Sequence, residues 1–402
     1  MRLNRDLNKI KTRKVEADAA VEQTVREILA DVRANGDAAV QKYSKKFDKS
    51  FEAGAPVDED FLRILERAKT QIEEFHKAQI RGGFEIKKEN GVVMGQIARP
   101  LQRVAVYVPG GTAAYPSTVL MNTIPAKLAG VEEIAIFTPQ PNEIVKAAAK
   151  ICGVNKIYQI GGAQAIAAAA YGTETIPKFD KIVGPGNAFV AAAKRLVYGE
   201  VDIDMVAGPS EILIIADETA NPKYIAADMM SQAEHDELAS AVLITTDKKI
   251  IAEVEVEIER QIAGLSREKI IRASLENFGA AILVHDLDEA FEISNEIAPE
   301  HLEILTENPL AALPKIRNAG SIFLGENTPE PLGDYMSGTN HVLPTGGTAR
   351  FYSPLGVYDF VKFSAYSYYP REVLAEFKDD VIKFAQAEGL DAHANSVKVR
   401  FE

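Results

Sequence analysis

The sequence predicts an α/β protein built on two open parallel sheets. Three observations carry this. From Arg103 charge thins out and short apolar strands alternate with Ala-rich helices; the same rhythm restarts at Glu211; and three strand-to-helix turns in the first run are glycine-rich, at 109–111, 161–162 and 184–186. Such alternation winds a sheet on itself, because each crossover returns the chain to a parallel neighbour. At 402 residues and 47% hydrophobic, the chain has core enough for two or three domains.

In order, residues 1–14 read as a basic arm. Apolar residues recur at helical spacing from about Val15 to Phe47 and from Asp58 to Gln79, with a break at Gly36-Asp37. A strand pair brackets Gly91, with 84–87 and 92–94 on either side. Val104–Val108 is a buried strand ending in Pro109-Gly110-Gly111. Helix 118–129, strand 133–137, helix 142–152, strand 157–160, helix 163–171, strand 182–183 and helix 188–197 complete the first run. Parallel sheets take ligands in loops at the carboxyl ends of their strands, where these glycines lie. The second run has strands at 211–215, 241–245, 280–284, 301–305 and 321–324, with helices at 250–262 and 287–297. A helical pattern covers 221–238. After Gly338 the chain is loop-rich to Pro370, and an amphipathic helix at 372–388 precedes a short tail.

Composition excludes several functions. There are 58 acids against 45 bases, a net charge of −13, and no long basic run, which argues against a nucleic-acid surface or an anionic membrane partner. Cys152 is the only cysteine, so a disulfide framework is excluded and a reducing cytoplasm is expected. Met1–Lys14 has no signal-peptide core, and no apolar run approaches the ~18 residues of a membrane span.

The polar clusters suggest chemistry. Gln232 and His235, three apart in a helical pattern, would leave from one face and make half of a metal site. Alone, such a pair is more commonly a capped, solvated helix end. Of six histidines, His76 lies in a charged helix and reads as solvated, and His285 closes a strand and reads as structural. The other four adjoin an acid, an amide or a glycine. Gln232, His235, Asp334 and His393 would form an all-N/O set suited to Zn²⁺, Mn²⁺ or Co²⁺, with two imidazoles favouring zinc. Glu300-His301 joins a general base to a carboxylate able to orient water, provided the backbone is irregular there; Pro299 is expected to hold Ala298 extended. The Gly184-Pro185-Gly186 turn lacks the third glycine of a dinucleotide fingerprint, since Phe189 takes that place. Its backbone N–H groups, with Asn187 at the helix start, still suit an anion.

These stretches together resemble the histidinol dehydrogenase family over nearly the whole chain. The segments are VYVPGGTAAYPSTVLMNTIPAKLAGV (106–131), GGAQAIAAAAYGT (161–173), KIVGPGNAFVAAAKRLVYG (181–199), AGPSEILIIAD (207–217), SQAEHD (231–236), APEHLEI (298–304), NAGSIFLG (318–325), GDYMSGTNHVLPT (333–345) and EGLDAHANSV (388–397). The resemblance implies oxidation of L-histidinol through histidinal to L-histidine, with two NAD and one water. It implies one zinc per subunit on Gln232, His235, Asp334 and His393, and an acid–base pair in Glu300 and His301. Ser210, His341 and Glu388 would touch substrate along with His301 and the metal ligands, and Tyr107, Gln164 and Asn187 would line the NAD site. The implied fold is two Rossmann-like domains, one inserted in the other, with a helical N-terminal arm and a C-terminal tail engaged in a homodimer. The expected boundaries are 1–14 for the arm, 15–103 with 211–350 for the domain carrying metal and catalytic residues, 104–210 for the NAD domain and 351–402 for the tail. Two readings compete: a zinc hydrolase using Glu300 as general base, and a non-catalytic metabolite-binding module. The three glycine loops favour the dehydrogenase, because a hydrolase needs no dinucleotide cleft.

Overall fold

The computed structural model describes residues 2–3 (backbone only), 19–48, 56–110 and 115–402. Most of the expected arm, the helix start at 15–18 and Gly111 of the first glycine loop lie outside the described residues. The chain opens with β1 (Arg2–Leu3), helices Ala19–Phe47 and Glu59–Lys77, and a hairpin of β2 (Phe84–Lys87) and β3 (Val93–Pro100). The first alternating run gives β4 (Arg103–Tyr107), β5 (Glu133–Phe137), β6 (Lys156–Tyr158), β7 (Lys181–Val183) and β8 (Asp202–Ile203). Its helices are Pro116–Ala129, Glu143–Ile151, Gly162–Tyr171 and Ala188–Val197. The second run gives β9 (Glu211–Ala216), β10 (Ser240–Thr245), β11 (Ala280–Leu283), β12 (His301–Leu305) and β13 (Ser321–Leu324). Helices Pro222–Ala233, Lys248–Ile262, Glu268–Phe278 and Leu287–Ile297 join them, and Glu330–Tyr335 follows. Then come β14 (Val361–Tyr368) and helices Arg371–Ala387 and Asp391–Lys398.

The chain folds as two compact units, Met1–Gln79 with Leu101–Phe360, and Ile80–Pro100 with Val361–Glu402. The first unit contains two sheets, in the orders β6-β5-β4-β7-β8 and β1-β11-β10-β9-β12-β13, with every pairing parallel. Counting each run from its own first strand, both read third, second, first, fourth, fifth, the doubly wound Rossmann order. Since β1 edges the second sheet, the first sheet is inserted between β1 and β9.

Each sheet is buried on both faces. Along β4, Val104 and Val106 enter one core with Leu65, Ile72 and Leu120, while Ala105 and Tyr107 enter another with Ile28, Ile166 and Val190. Along β9, Ile212 and Ile214 pack under helix Pro222–Ala233, and Leu213 and Ile215 pack with Phe291 on the other face. Runs as apolar as Ile212–Ala216 are what such strands require.

Several expectations needed correction. The helix expected over 221–238 ends at Ala233, with Asn221 as its cap. Helix Glu268–Phe278 and the tail helix Asp391–Lys398 were not anticipated. Nor was β14, which lies in the stretch read as loop; it pairs antiparallel with β3 in the three-stranded sheet of the second unit, in the order β14-β3-β2. Its run of Ser and Tyr, exposed or half-buried throughout, gave no apolar alternation to detect. The break at Gly36 is present, with φ at 49° inside Ala19–Phe47. In the second unit Val373 and Ala385 of helix Arg371–Ala387 are buried, whereas Phe377 and Phe384 remain exposed.

Candidate active site

A cleft of about 430 Å³ opens in the first unit where its two sheets meet. From the first sheet it is lined by Pro109 beyond β4 and by the Gly184–Asn187 turn beyond β7, at the carboxyl ends on either side of the switch in strand order. From the second sheet it is lined by Ser210, Glu300 and His301, at the amino ends of β9 and β12. Helices that follow parallel strands run back antiparallel to them. The C-terminal end of Pro222–Ala233 therefore delivers Gln232 and His235 to the same place, and Asp334 and His341 complete that wall.

Local sequence explains each placement. Helix Leu287–Ile297 stops at Ala298, whose N–H donates to the Ser294 carbonyl (2.8 Å). Ala298 was expected to be extended; it is left-handed (φ 54°), alone among the described non-glycine residues. The right-handed helical conformation is disfavoured for a residue before proline, and this left-handed cap swings the chain directly into β12. Glu330–Tyr335 starts after Pro329, and Gly333 lets it approach β13: a Cβ there would lie 2.4 Å from the Phe323 ring.

Glu300 and His301, adjacent in sequence, both reach Glu211. The Glu211 N–H donates to Glu300 Oε2 (2.9 Å), and His301 Nδ1 lies 2.9 Å from the Glu211 carbonyl oxygen, so Nδ1 carries the proton and Nε2 is a lone pair. Nε2 faces Glu330 Oε1 at 3.7 Å. Burial pushes His301 down to about 4 and holds Glu300 well above the usual carboxylate range, helped by the charges of Glu211, Asp334 and Glu330. His341 is also lowered by burial, and its Nδ1 lies 3.6 Å from Asp334 Oδ1.

Among the buried acids that were missed, Asp228, Glu303 and Glu330 bear on one another beside the site. The Glu330 N–H donates to Glu303 Oε1 (2.9 Å), and Ser231 Oγ lies 3.5 Å from Glu330 Oε2. Burial, then Asp334, pushes Glu330 up to about 8; burial pushes Asp228 to about 6. The signal was spacing. Asp228 is one helical turn from Gln232, Glu330 one turn from Asp334, and Glu303 shares a strand face with His301.

Of the expected metal ligands, Gln232, His235 and Asp334 line the cleft. Gln232 is buried, and neither its Oε1 nor its Nε2 has a hydrogen-bond partner. His235 lies past the helix end in a turn, its N–H donating to the Gln232 carbonyl (3.2 Å), and is not on a shared helix face as expected. His301, Glu330 and Asp334 also offer ligand atoms within 4.8 Å of one another. His393 and Glu388 belong to the second unit, where both are exposed. Of the expected NAD residues, Asn187 lines the cleft and caps its helix by accepting from the N–H groups of Phe189 (3.1 Å) and Val190 (3.2 Å). Tyr107 and Gln164 are buried instead. The Gly162 N–H donates to the Tyr107 hydroxyl oxygen (3.0 Å), and Gln164 Nε2 donates to Asp48 (3.4 Å). Two histidine expectations fail: His285 projects into solvent beside Asp286, and His76 is fully buried.

Among the described residues, no helix is long and apolar enough to cross a membrane. Comparison with known proteins shows the family. The family model for histidinol dehydrogenase matches residues 11–401. The chain is 61% identical to the histidinol dehydrogenase of Lactococcus lactis, covering 98% of this chain and 96% of that protein, and 57% identical to that of Clostridium acetobutylicum, covering 98% and 95%. The crystal structure of histidinol dehydrogenase from Elizabethkingia anophelis superposes with a TM-score of 0.89 at 38% identity, covering 98% of this chain and 95% of that one. The hydrolase and binding-module readings are set aside, and the chain belongs to the histidinol dehydrogenase family, NAD-dependent oxidoreductases that oxidise histidinol in histidine biosynthesis.

Proposed function

We propose that both oxidations, histidinol to histidinal and histidinal to histidine, take place in this cleft, and that Gln232, His235, Asp334 and His393 hold one zinc ion per subunit there. Gln232 carries the metal reading. A buried amide with no partner costs about 1–3 kcal/mol, which a cation on Oε1 would offset. One carboxylate among neutral N/O donors suits a borderline divalent ion. When bound, the metal supplies a redox-inert positive charge that positions the substrate, and NAD supplies the hydride acceptor.

The remaining work falls to side chains. His301, neutral and with Nε2 unprotonated, takes the hydroxyl proton as hydride leaves the carbinol carbon. Glu330 faces the imidazolium that results. Glu300, whose raised proton affinity makes its ionised form a stronger base, takes a proton from the water that adds to the aldehyde. Ser210 and His341 contact the substrate together with His301 and the ligands. Asn187 meets NAD from the cleft wall, and Tyr107 and Gln164 serve the NAD site by bracing the glycine turn at 161–162, Tyr107 directly and Gln164 through Asp48. Glu388 and His393 act across a two-fold homodimer. The exposed Phe377 and Phe384 of the tail helix support that docking. The lone, buried Cys152 suits a cytoplasmic enzyme.

The test is NADH absorbance with histidinol as substrate. Chelation should abolish turnover, Zn²⁺, Mn²⁺ or Co²⁺ should restore it, and NAD should still bind the stripped protein. Full activity without metal would refute the metal's role.

A further inference from the structure

We propose that His76 is a positioning residue for histidinol oxidation: as a neutral hydrogen-bond acceptor it fixes Asn340, and through Asn340 the turn that presents His341 to the substrate. It rests on the reading of His341 as a substrate contact.

His76 lies in the last turn of helix Glu59–Lys77 and is 0% exposed. Its Nδ1 lies 2.8 Å from the Ile72 carbonyl oxygen and so carries the ring proton. Asn340, also buried, has its amide orientation fixed by two backbone partners. Its Oδ1 accepts from the Val342 N–H (2.9 Å), and its Nδ2 donates to the Met121 carbonyl (2.7 Å). The second Nδ2 proton is directed at His76 Nε2, 3.3 Å away. The role left to Nε2 is acceptor. Protonating His76 would set N–H against N–H in a buried place, losing the bond and leaving the Asn340 amide proton unsatisfied, even with the Leu355 carbonyl facing the ring.

A separate contact seats the same turn on the same helix. Gly338 is left-handed (φ +89°), and a Cβ there would come within 2.5 Å of the Gln71 carbonyl oxygen. Met121 belongs to helix Pro116–Ala129 of the NAD half, so this junction joins three parts of the first unit one residue from His341. The groups bearing on His76 are uncharged. They are Phe75 of its own helix, Met121 of the neighbouring helix, and Asn340 and Leu355 of the following segment. Burial lowers its proton affinity, partly opposed by the carbonyls of Ile72 and Leu355.

The experiment measures KM for histidinol and for NAD across pH in the zinc enzyme, comparing wild type with His76→Leu, His76→Gln and His341→Asn. His76→Leu, which strands the Asn340 donor, should raise the histidinol KM about tenfold and leave the NAD KM unmoved. His76→Gln keeps an acceptor that cannot titrate. It should match wild type at neutral pH, and in acid its histidinol KM should climb less than the wild-type value does. If His76→Leu leaves the histidinol KM unchanged or moves both constants equally, or if His76→Gln and wild type run parallel at every pH, the inference is overturned. Should His76→Leu fail to fold, the comparison of His76→Gln with wild type decides alone. If His341→Asn itself leaves the histidinol KM unchanged, the reading of His341 as a substrate contact is what fails.

Discussion

Asp228 and Glu303 share a buried site below the cleft, and that burial makes them hold protons they would lose in water. Asp228 ionises at about 6 in the folded protein instead of 3.8, and Glu303 is raised well above the carboxylate range, mainly by burial and then by Asp228. Across that interval this pair binds more protons folded than unfolded, so its contribution to stability should fall as pH rises from about 4 to about 6. In urea midpoints of the metal-free protein across this range, Glu303→Gln should remove part of that loss, so that its midpoint rises relative to wild type as pH increases. A Glu303→Gln midpoint that runs parallel to wild type across this range would contradict the assignment, whereas the wild-type curve alone also carries the opposite contribution of the buried histidines His76, His301 and His341. Glu300→Gln should slow oxidation of supplied histidinal by roughly 10²-fold or more, the size of a lost general base, and the first oxidation of histidinol much less. His301→Asn should damage both. Equal losses in the two half-reactions of Glu300→Gln would show that water activation belongs elsewhere.

At the scale of elements, short segments with little hydrophobic support aim the chemistry. The six-residue helix Glu330–Tyr335 carries both Glu330 and Asp334, and it is seated by the close approach of Gly333 to Phe323. Gly333→Ala should force the helix off β13, costing about 1–3 kcal/mol by overpacking. The heavier loss should be in zinc retention, since Asp334 moves with the helix. Zinc occupancy after dialysis, read beside the thermal midpoint, checks this; a variant that loses stability yet keeps its zinc would argue against the placement of Asp334. On the opposite wall, Lys194 and Asp204 form a buried ion pair. The Lys194 ammonium donates to the Gly184 carbonyl (2.9 Å) and Asp204 accepts from the Gly184 N–H (2.7 Å), so the turn leading to Asn187 is held from both sides.

At the scale of the whole molecule, the two sheets present opposite ends to one cleft. The first offers the carboxyl ends of its strands and the second the amino ends. If Glu388 and His393 serve a neighbouring subunit, two inactive variants should complement. After subunit exchange between His235→Ala and His393→Ala, half the dimers are mixed and each has one intact site, so roughly a quarter of wild-type activity should return. Exchange that is confirmed independently but restores nothing would place His393 in its own subunit's site.

The sequence by itself determined the alternating α/β runs, the boundaries of β5, β12, β13 and helix Leu287–Ile297, and the residue types gathered around the cleft. Burial on both faces writes parallel strands as apolar runs such as Ile212–Ala216, and that pattern is local. The motif series then identified the family, because nine segments in order constrain a chain far more than any one of them. Tertiary structure alone decided what depends on partners distant in sequence. A histidine in a charged helix reads as solvated until Asn340 and Leu355 close over His76. Ala298 reads as extended until a left-handed cap is required between helix and strand. The raised proton affinities of Glu303 and Asp228 come from burial, and burial follows from packing across the whole first unit.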